Sequence, residues 1–290
     1  MSAAYQFLIM GNFFNLVLVN PIINILVAIY SLFSFIHVPY ALGFAIIGLT
    51  VVIRFILYPL TTAQLKASMK MQKIAPHLSK LKEKHKGDSM KIQQETMRLY
   101  KEHGVNPAAG CLPILIQLPL IWALYSVLQN VVKVNPNVVS EINKVLYFDF
   151  LKLHSAWDPT FFGLSLGAMP SKIMSFNNLF AVSSLILLVP ILTGVFQFIL
   201  SKMMIPAKDG VAVLEKEIEK KAPVDKKDAD DFASAFQTQS LFIFPIMIGF
   251  FSYGFPIGLS LYWNTFTIFG IIQQYKIMGL GGLREWIKKK

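Results

Sequence analysis

Residues 41–60 read ALGFAIIGLTVVIRFILYPL, and the placement of this stretch decides the fold. As a helix it is long enough to cross a hydrocarbon core about 30 Å thick. Arg54 lies inside it, among Val51, Val52, Ile53, Phe55, Ile56 and Leu57. An arginine at such depth costs about 2.5–3.5 kcal/mol on insertion scales, and it cannot shed its proton to escape that cost. Something must solvate it: water in a cavity, polar side chains or a passing ligand. Two readings fit. Arg54 either snorkels to the near interface along its apolar stem, or it works as a functional charge inside the membrane.

The composition around this stretch is that of an integral membrane protein. Of 290 residues, 54% are hydrophobic and 15% charged, which excludes an ordinary soluble domain. The single cysteine, Cys111, excludes an intramolecular disulfide framework and shows no metal-ligand spacing. The net charge of +11 is unevenly placed. Residues 63–107 hold ten Lys and Arg against four acids, and residues 276–290 hold five against one. Basic excess in one loop and the tail is the positive-inside pattern with both facing the cytoplasm.

The chain divides as follows. Residues 1–40 form an N-terminal apolar segment without Lys, Arg, Asp or Glu, so it lacks the basic n-region of a cleavable signal and is expected outside. Within it, residues 21–36 read as a helix capped by Asn20 with Pro21 in its first position, lying along the outer interface. A spanning helix here is the competing reading, because hydropathy does not separate the two. Span 1 covers 41–62. Residues 63–106 are two amphipathic helices: Met71, Ile74, Leu78 and Leu81 line one face, Gly87-Asp88 breaks the run, and Met90, Met97 and Tyr100 resume a stripe that Gly104 ends. This makes a cytosolic helical hairpin. Span 2 is 107–132, with Pro107, Pro113, Pro119 and the polar Gln117. Residues 133–178 are an external segment with Tyr147 and Trp157 as interfacial anchors. Span 3 covers 179–201, with Pro190 as a kink and Gln197 near its cytosolic end. Residues 202–238, seven basic against eight acidic, are a solvated and mobile cytosolic loop.

Between Asp231 and Lys276 lie 44 uncharged residues, twice what one crossing needs, with Gly254-Phe255-Pro256 at their centre. They resolve into span 4 at 239–254, a tight external turn and span 5 at 258–276. Residues 277–290 are a basic cytosolic tail. It serves as a topology anchor, or as a patch for ribosomal RNA or anionic lipid. The expected fold class is an all-α integral membrane protein of five transmembrane helices, with its N-terminus outside and its C-terminus in the cytosol.

Four blocks carry a resemblance: IRFILYPLTTAQLKASMKMQ around Arg54, the hairpin ending MRLYKEHGVNP, GCLPILIQLPLIWALY at 110–125, and FPIGLSLYWNTFTIFGIIQQ at 255–274. In this order, and with a basic hairpin between the first two spans, the chain resembles the YidC/Oxa/Alb family of membrane protein insertases. It is similar to the short, five-span bacterial form, without the large periplasmic domain and extra first span of the Gram-negative type. The 133–178 segment is longer than that pattern. The resemblance implies five helices around a hydrophilic groove open to the cytosol and to lipid and closed toward the outside. Arg54 would be the groove charge, with Gln117, Gln197, Trp263 and Asn264 lining it. The hairpin methionines Met69, Met71, Met90 and Met97 would recruit clients, although methionines on such a stripe also serve plain packing.

The implied function is insertion of membrane proteins into a bacterial plasma (inner) membrane without nucleotide hydrolysis. Its partners are nascent membrane proteins and the lipid bilayer, with the ribosome and a Sec-type translocon as further candidates. It implies no small-molecule substrate and no cofactor. No GxxxxGK[ST] loop occurs. The histidines His37, His77, His85, His103 and His154 form no HExxH pair, and no nucleophile adjoins a base at recognisable spacing, so an enzyme is not expected. Two alternatives stay open: an anion-selective channel or transporter using Arg54, and an assembly chaperone that does not itself insert.

Overall fold

The computed structural model describes residues 13–85, 87–104, 112–131, 137–173, 183–205 and 229–288. Cys111, Pro107, most of the 202–238 loop and the final lysines Lys289 and Lys290 lie outside them. The helices are α1 (Asn20–Phe35), α2 (Ala41–Lys84), α3 (Ser89–Glu102), α4 (Leu112–Val131), α5 (Val138–Asn143), α6 (Pro170–Ile173), α7 (Ser183–Met204), α8 (Ala229–Gly254), α9 (Ile257–Met278) and α10 (Arg284–Lys288). A two-residue antiparallel ladder, β1 (Thr160–Phe161) with β2 (Leu164–Ser165), lies between α5 and α6. The protein is therefore mostly helical. Among the described residues, three helical stretches are long and apolar enough to cross a membrane: Asn15–Phe35, Ala41–Ile74 and Ile186–Met204. Gln117–Leu128 and Leu241–Gly254 are apolar but shorter among the described residues.

Several expected boundaries move. Asn20 caps nothing: a π-helical turn, Asn15–Val19, runs directly into α1, and the Asn20 N–H donates to the Asn15 carbonyl. Pro21 stands in the first positions of α1 directly after the π turn, so the continuous helix lacks one backbone donor there. Span 1 and the first hairpin arm are one uninterrupted helix, α2, with no break at residue 62. Residues 229–238, expected in the mobile loop, already belong to α8. The hairpin itself turns where its glycine and aspartate stand. Gly87 adopts φ +96°, open to glycine at no steric cost, and the Asp88 side chain accepts the Lys91 N–H at 3.0 Å as an N-cap.

The chain packs as two compact units. The first comprises residues 1–56, 116–194 and 248–266. Its core is mainly apolar, with Leu26, Val27, Leu42, Ala45, Ile46, Leu49, Leu124, Val127, Leu128 and Leu259 buried, and it also encloses Asn24, Thr50, Arg54, Thr193, Ser252 and Ser260. The 137–173 segment is tied to this core by backbone bonds that polar side chains organise. Asn24, buried in α1, donates to the carbonyls of Asn20 and Val145, both at 2.9 Å, and accepts the Tyr147 N–H at 2.7 Å. The asparagine that interrupts the apolar run of α1 is thus the clamp that fastens a remote loop. Trp157 is buried edge-on against Tyr30, ring centroids 5.2 Å apart, and is not an exposed interfacial anchor; Tyr147 is exposed. Phe161 packs on Tyr40 and Phe44, leaving no room for a side chain at Gly43. At the other side, the Ile257 and Gly258 N–H groups of α9 donate to Ala168 and Leu166 carbonyls at 2.9 and 2.8 Å. These are first-turn amides with no partner inside their own helix.

The second unit comprises residues 57–115, 195–247 and 267–290. Gln273 of α9, buried, donates to the hydroxyls of Thr61 and Thr62 at 2.8 and 3.0 Å. Gln274 donates to the Met203 carbonyl at 3.3 Å, and Gln72 of α2 donates to that of Met204 at 2.7 Å. The tail is docked onto α7 rather than extended. Gly281 comes so close to the Met203 carbonyl that a Cβ would overlap it, the Gly282 N–H donates to Ile205 at 2.8 Å, and Trp286 packs on Phe198 with Lys202 above its ring.

The Asn24 clamp yields a direct expectation. Asn24→Ala strands the Val145 carbonyl and the Tyr147 N–H, each costing about 1–3 kcal/mol if left unsatisfied. The expected result is a lower thermal midpoint and faster proteolysis within residues 146–156, with helix content near wild type, checked by limited proteolysis and circular dichroism in detergent.

Candidate functional site

Arg54 is placed by the helical repeat of α2. Thr50, one turn earlier on the same face, satisfies its own hydroxyl by donating to the Ile46 carbonyl at 2.7 Å. Arg54 follows it into the first unit and is only 5% exposed. The guanidinium leaves the surface of its own helix. It turns onto α9, where it donates to the Phe266 carbonyl and lies over the Phe266 ring with its central carbon 3.4 Å from the ring centroid. A hydrogen bond from a charged donor contributes about 1.5–3 kcal/mol and a cation on an aromatic face about 0.5–2 kcal/mol. Together these match the insertion cost of about 2.5–3.5 kcal/mol. One residue of α9 thus offsets most of what burying the charge costs.

Gln117 of α4 enters the same region. Its Nε2 donates to the Tyr262 hydroxyl at 3.1 Å, and Tyr262 is fully buried with its ring 5.7 Å from that of Phe266. Arg54, Phe266, Tyr262 and Gln117 therefore form a continuous polar-aromatic chain across α2, α9 and α4. Trp263 and Asn264 follow Tyr262 on α9 and are half-buried. Asn264 Oδ1 is buried and accepts no hydrogen bond among the described residues. A second buried polar line runs through the same unit: Thr193 to Ser252 at 3.2 Å and Ser252 to Ser260 at 2.8 Å. Gly249 stands against Pro190 and Gly194 at this contact, letting α8 approach α7 closely.

Of the expected groove residues, the first unit brings together Arg54 and Gln117, with Trp263 and Asn264 adjoining on α9. Gln197 belongs to the second unit, half-buried on α7. Of the hairpin methionines, Met69 and Met71 are half-buried, while Met97 is exposed and Met90 is 75% exposed. Tyr262 and Phe266 were not singled out by sequence. Their signal was the helical spacing of four within YWNTF, which puts both on one face of α9. Ser252, Ser260 and Thr193 had a weaker signal, as isolated hydroxyls in uncharged runs that serve helix packing as readily as a site. Among the described residues no three metal-ligating side chains converge.

This site chemistry is a fixed cation with planar, directional donors, a tyrosine hydroxyl, two amides and an indole. It can hydrogen-bond carboxylates and amides. A family model described as 60Kd inner membrane protein matches residues 23–281. The membrane protein insertase YidC of Caulobacter vibrioides (strain NA1000 / CB15N) is 35% identical over 259 residues, which are 89% of this chain and 36% of that protein. The chloroplast inner membrane protein ALBINO3 of Arabidopsis thaliana is 33% identical over 87% of this chain and 49% of its own length. YidC of Fusobacterium nucleatum is 31% identical over 82% of this chain and 87% of its own. The chain thus spans about a third to a half of the first two and most of the third. A solved structure of an active YidC insertase, with its first transmembrane domain resolved, superposes with TM-score 0.50 at 25% identity, over 86% of this chain and 45% of that one.

The Gln117–Tyr262 bond is tested by a double-mutant cycle. Gln117→Leu leaves the buried hydroxyl without its donor and should lower stability by about 1–3 kcal/mol, whereas adding Tyr262→Phe removes the stranded group and restores most of it. Thermal melts of the four proteins in one detergent measure the coupling.

Proposed function

The chain belongs to the 60Kd inner membrane protein family, that of the non-enzymatic YidC/Oxa/Alb membrane protein insertases, multi-pass proteins of the inner membrane, and on that premise we propose that it inserts client proteins by drawing their hydrophilic flanks to Arg54. The observation that carries this reading is the buried guanidinium on Phe266. A carboxylate on a client flank can exchange with the neutral Phe266 carbonyl and gain a charge-assisted, forked pair in return.

In this reading the chain crosses the membrane five times, at 41–62, 107–132, 179–201, 239–254 and 258–276, with its N-terminus outside and its basic tail in the cytosol. The placement of α1 supports the outer location of the N-terminal segment. Asn24 and Tyr30 both bind the 145–157 stretch, so α1 keeps company with the segment expected outside. The client's apolar segment first meets the hairpin, where exposed Met90 and Met97 offer adaptable apolar contact and Met69 and Met71 flank them in sequence. Its polar flank then reaches Arg54, Gln117, Trp263 and Asn264. The apolar segment finally partitions into lipid, releasing roughly 0.8 kcal/mol per buried methylene. The site lowers the barrier for polar groups, and partitioning supplies the drive without a nucleotide.

The test is reconstitution into liposomes with single-span clients that differ only in flank charge, scored by protease protection. Arg54→Ala should leave protein abundance normal and reduce insertion of Asp- or Glu-bearing flanks by about tenfold or more, from loss of a contact worth on the order of 1.5–3 kcal/mol. Neutral flanks should lose less, and Arg54→Lys should retain part of the activity, since a point charge attracts acids without the fork. Equal loss for acidic and neutral clients at normal abundance rules out direct charge attraction.

A further inference from the structure

Away from the Arg54 site, the 137–173 segment carries an open cavity of about 640 Å³ lined by Val139, Ser140, Asn143, Lys144 and Lys152. Its lining holds two ammonium groups and no carboxylate. Lys152 is paired with Asp149 at 2.6 Å, and Lys144 makes no ion pair among the described residues. The Lys152 bond holds the Asp149 carboxyl below its ordinary range, so that acid stays charged and leaves Lys144 as the uncompensated cation of the cavity. Glu141, also exposed on α5, is outside the lining. The walls are fixed from below. Val138, Ile142 and Leu151 are buried, and Asn143 both donates to the Leu153 carbonyl and accepts its N–H, each at 2.9 Å.

Between the two lysines in sequence stand Tyr147, Phe148 and Phe150, all exposed; Phe150 is 80% exposed and stacks on Phe148 with centroids 5.4 Å apart. Exposed stacked rings, within a few residues of the two lysines of a basic, hydroxyl-bearing cavity, supply the second part of an interfacial lipid contact. Rings favour the boundary between headgroups and acyl chains, and lysines favour the phosphate layer just above it.

We propose that this cavity binds the headgroup of an anionic phospholipid, with Lys144 and Lys152 on the phosphate, the Ser140 hydroxyl beside them, and Phe148 and Phe150 in the acyl boundary. The site is built wholly from residues 139–152 and does not depend on the Arg54 reading or on which leaflet the segment meets. Binding there would hold the segment, and through the Asn24 clamp α1, at the membrane surface.

The experiment uses the full chain in phosphatidylcholine vesicles doped, in both leaflets, with a headgroup-proximal photoactivatable phosphatidylglycerol or its phosphatidylcholine counterpart. Adducts on peptides covering 137–153 are quantified by mass spectrometry. One uncompensated lysine at an anionic surface strengthens binding on the order of fivefold, so phosphatidylglycerol adducts should exceed phosphatidylcholine adducts by about fivefold or more. The double variant Lys144→Gln with Lys152→Gln should remove the excess while adducts on lipid-facing α4 stay unchanged, and Lys144→Arg with Lys152→Arg should keep it. Equal labelling by the two lipids, or an excess that survives the Gln variant, overturns the proposal. An excess abolished by millimolar inorganic phosphate also overturns it, by assigning the cavity to the free ion.

Discussion

The cost of holding one guanidinium away from water governs the first unit. Arg54 cannot be neutralised, so its burial requires a partner at a fixed place, and α9 supplies it through the backbone and ring of Phe266. That requirement sets the register of α9 against α2. The same face of α9 then presents Tyr262, one turn earlier, to Gln117 of α4. Three helices are thereby linked by a chain of polar and aromatic contacts in a core made mostly of leucine, isoleucine, valine and alanine. Apolar packing alone would tolerate slippage, whereas buried polar groups do not, because each misplacement strands a donor or acceptor.

The 137–173 segment follows the same logic at its own scale. It buries Val138, Ile142, Leu151, Trp157 and Leu166, and its attachment is completed by side chains that bond backbone: Asn24 to Val145 and Tyr147, Asn143 to Leu153. Its carbonyls at Leu166 and Ala168 in turn receive the first free amides of α9, the helix that carries Phe266, Tyr262, Trp263 and Asn264. Gly258 makes that approach possible, since its position leaves only van der Waals room against the Leu166 carbonyl, Leu128 and Ile46. The loop therefore finishes the end of the helix that bears the candidate site.

Much of this was legible in the chain. The long apolar runs, the glycine-aspartate turn of the hairpin and the break at Phe255-Pro256 all follow from local rules, and Arg54 stood out because a charge in lipid always demands an account. What sequence did not disclose was tertiary. Asn20 looks like a cap, yet π-helical hydrogen bonding from Asn15 carries the helix through it. Trp157 looks like an interfacial ring, but Tyr30 offers it a buried edge contact. Gln117 and Gln197 are the same residue type in similar runs, and only packing separates the one bonded to Tyr262 from the one in the second unit. Phe266 was invisible as a partner because the acceptor it provides is a backbone carbonyl, which every residue has.

The central claim is that a client's hydrophilic flank contacts the Arg54–Phe266–Tyr262–Gln117 chain. It is tested most directly by a photo-crosslinking residue placed at Gln117 or, as its neighbour on the exposed face of α4, at Leu118, which is 59% exposed. Each protein is challenged with a ribosome-stalled single-span client carrying an acidic flank. The account predicts that position 117 captures the acidic flank while position 118 captures lipid or the client's apolar segment. Equal capture of the flank at both positions, or capture at 118 alone, would contradict it.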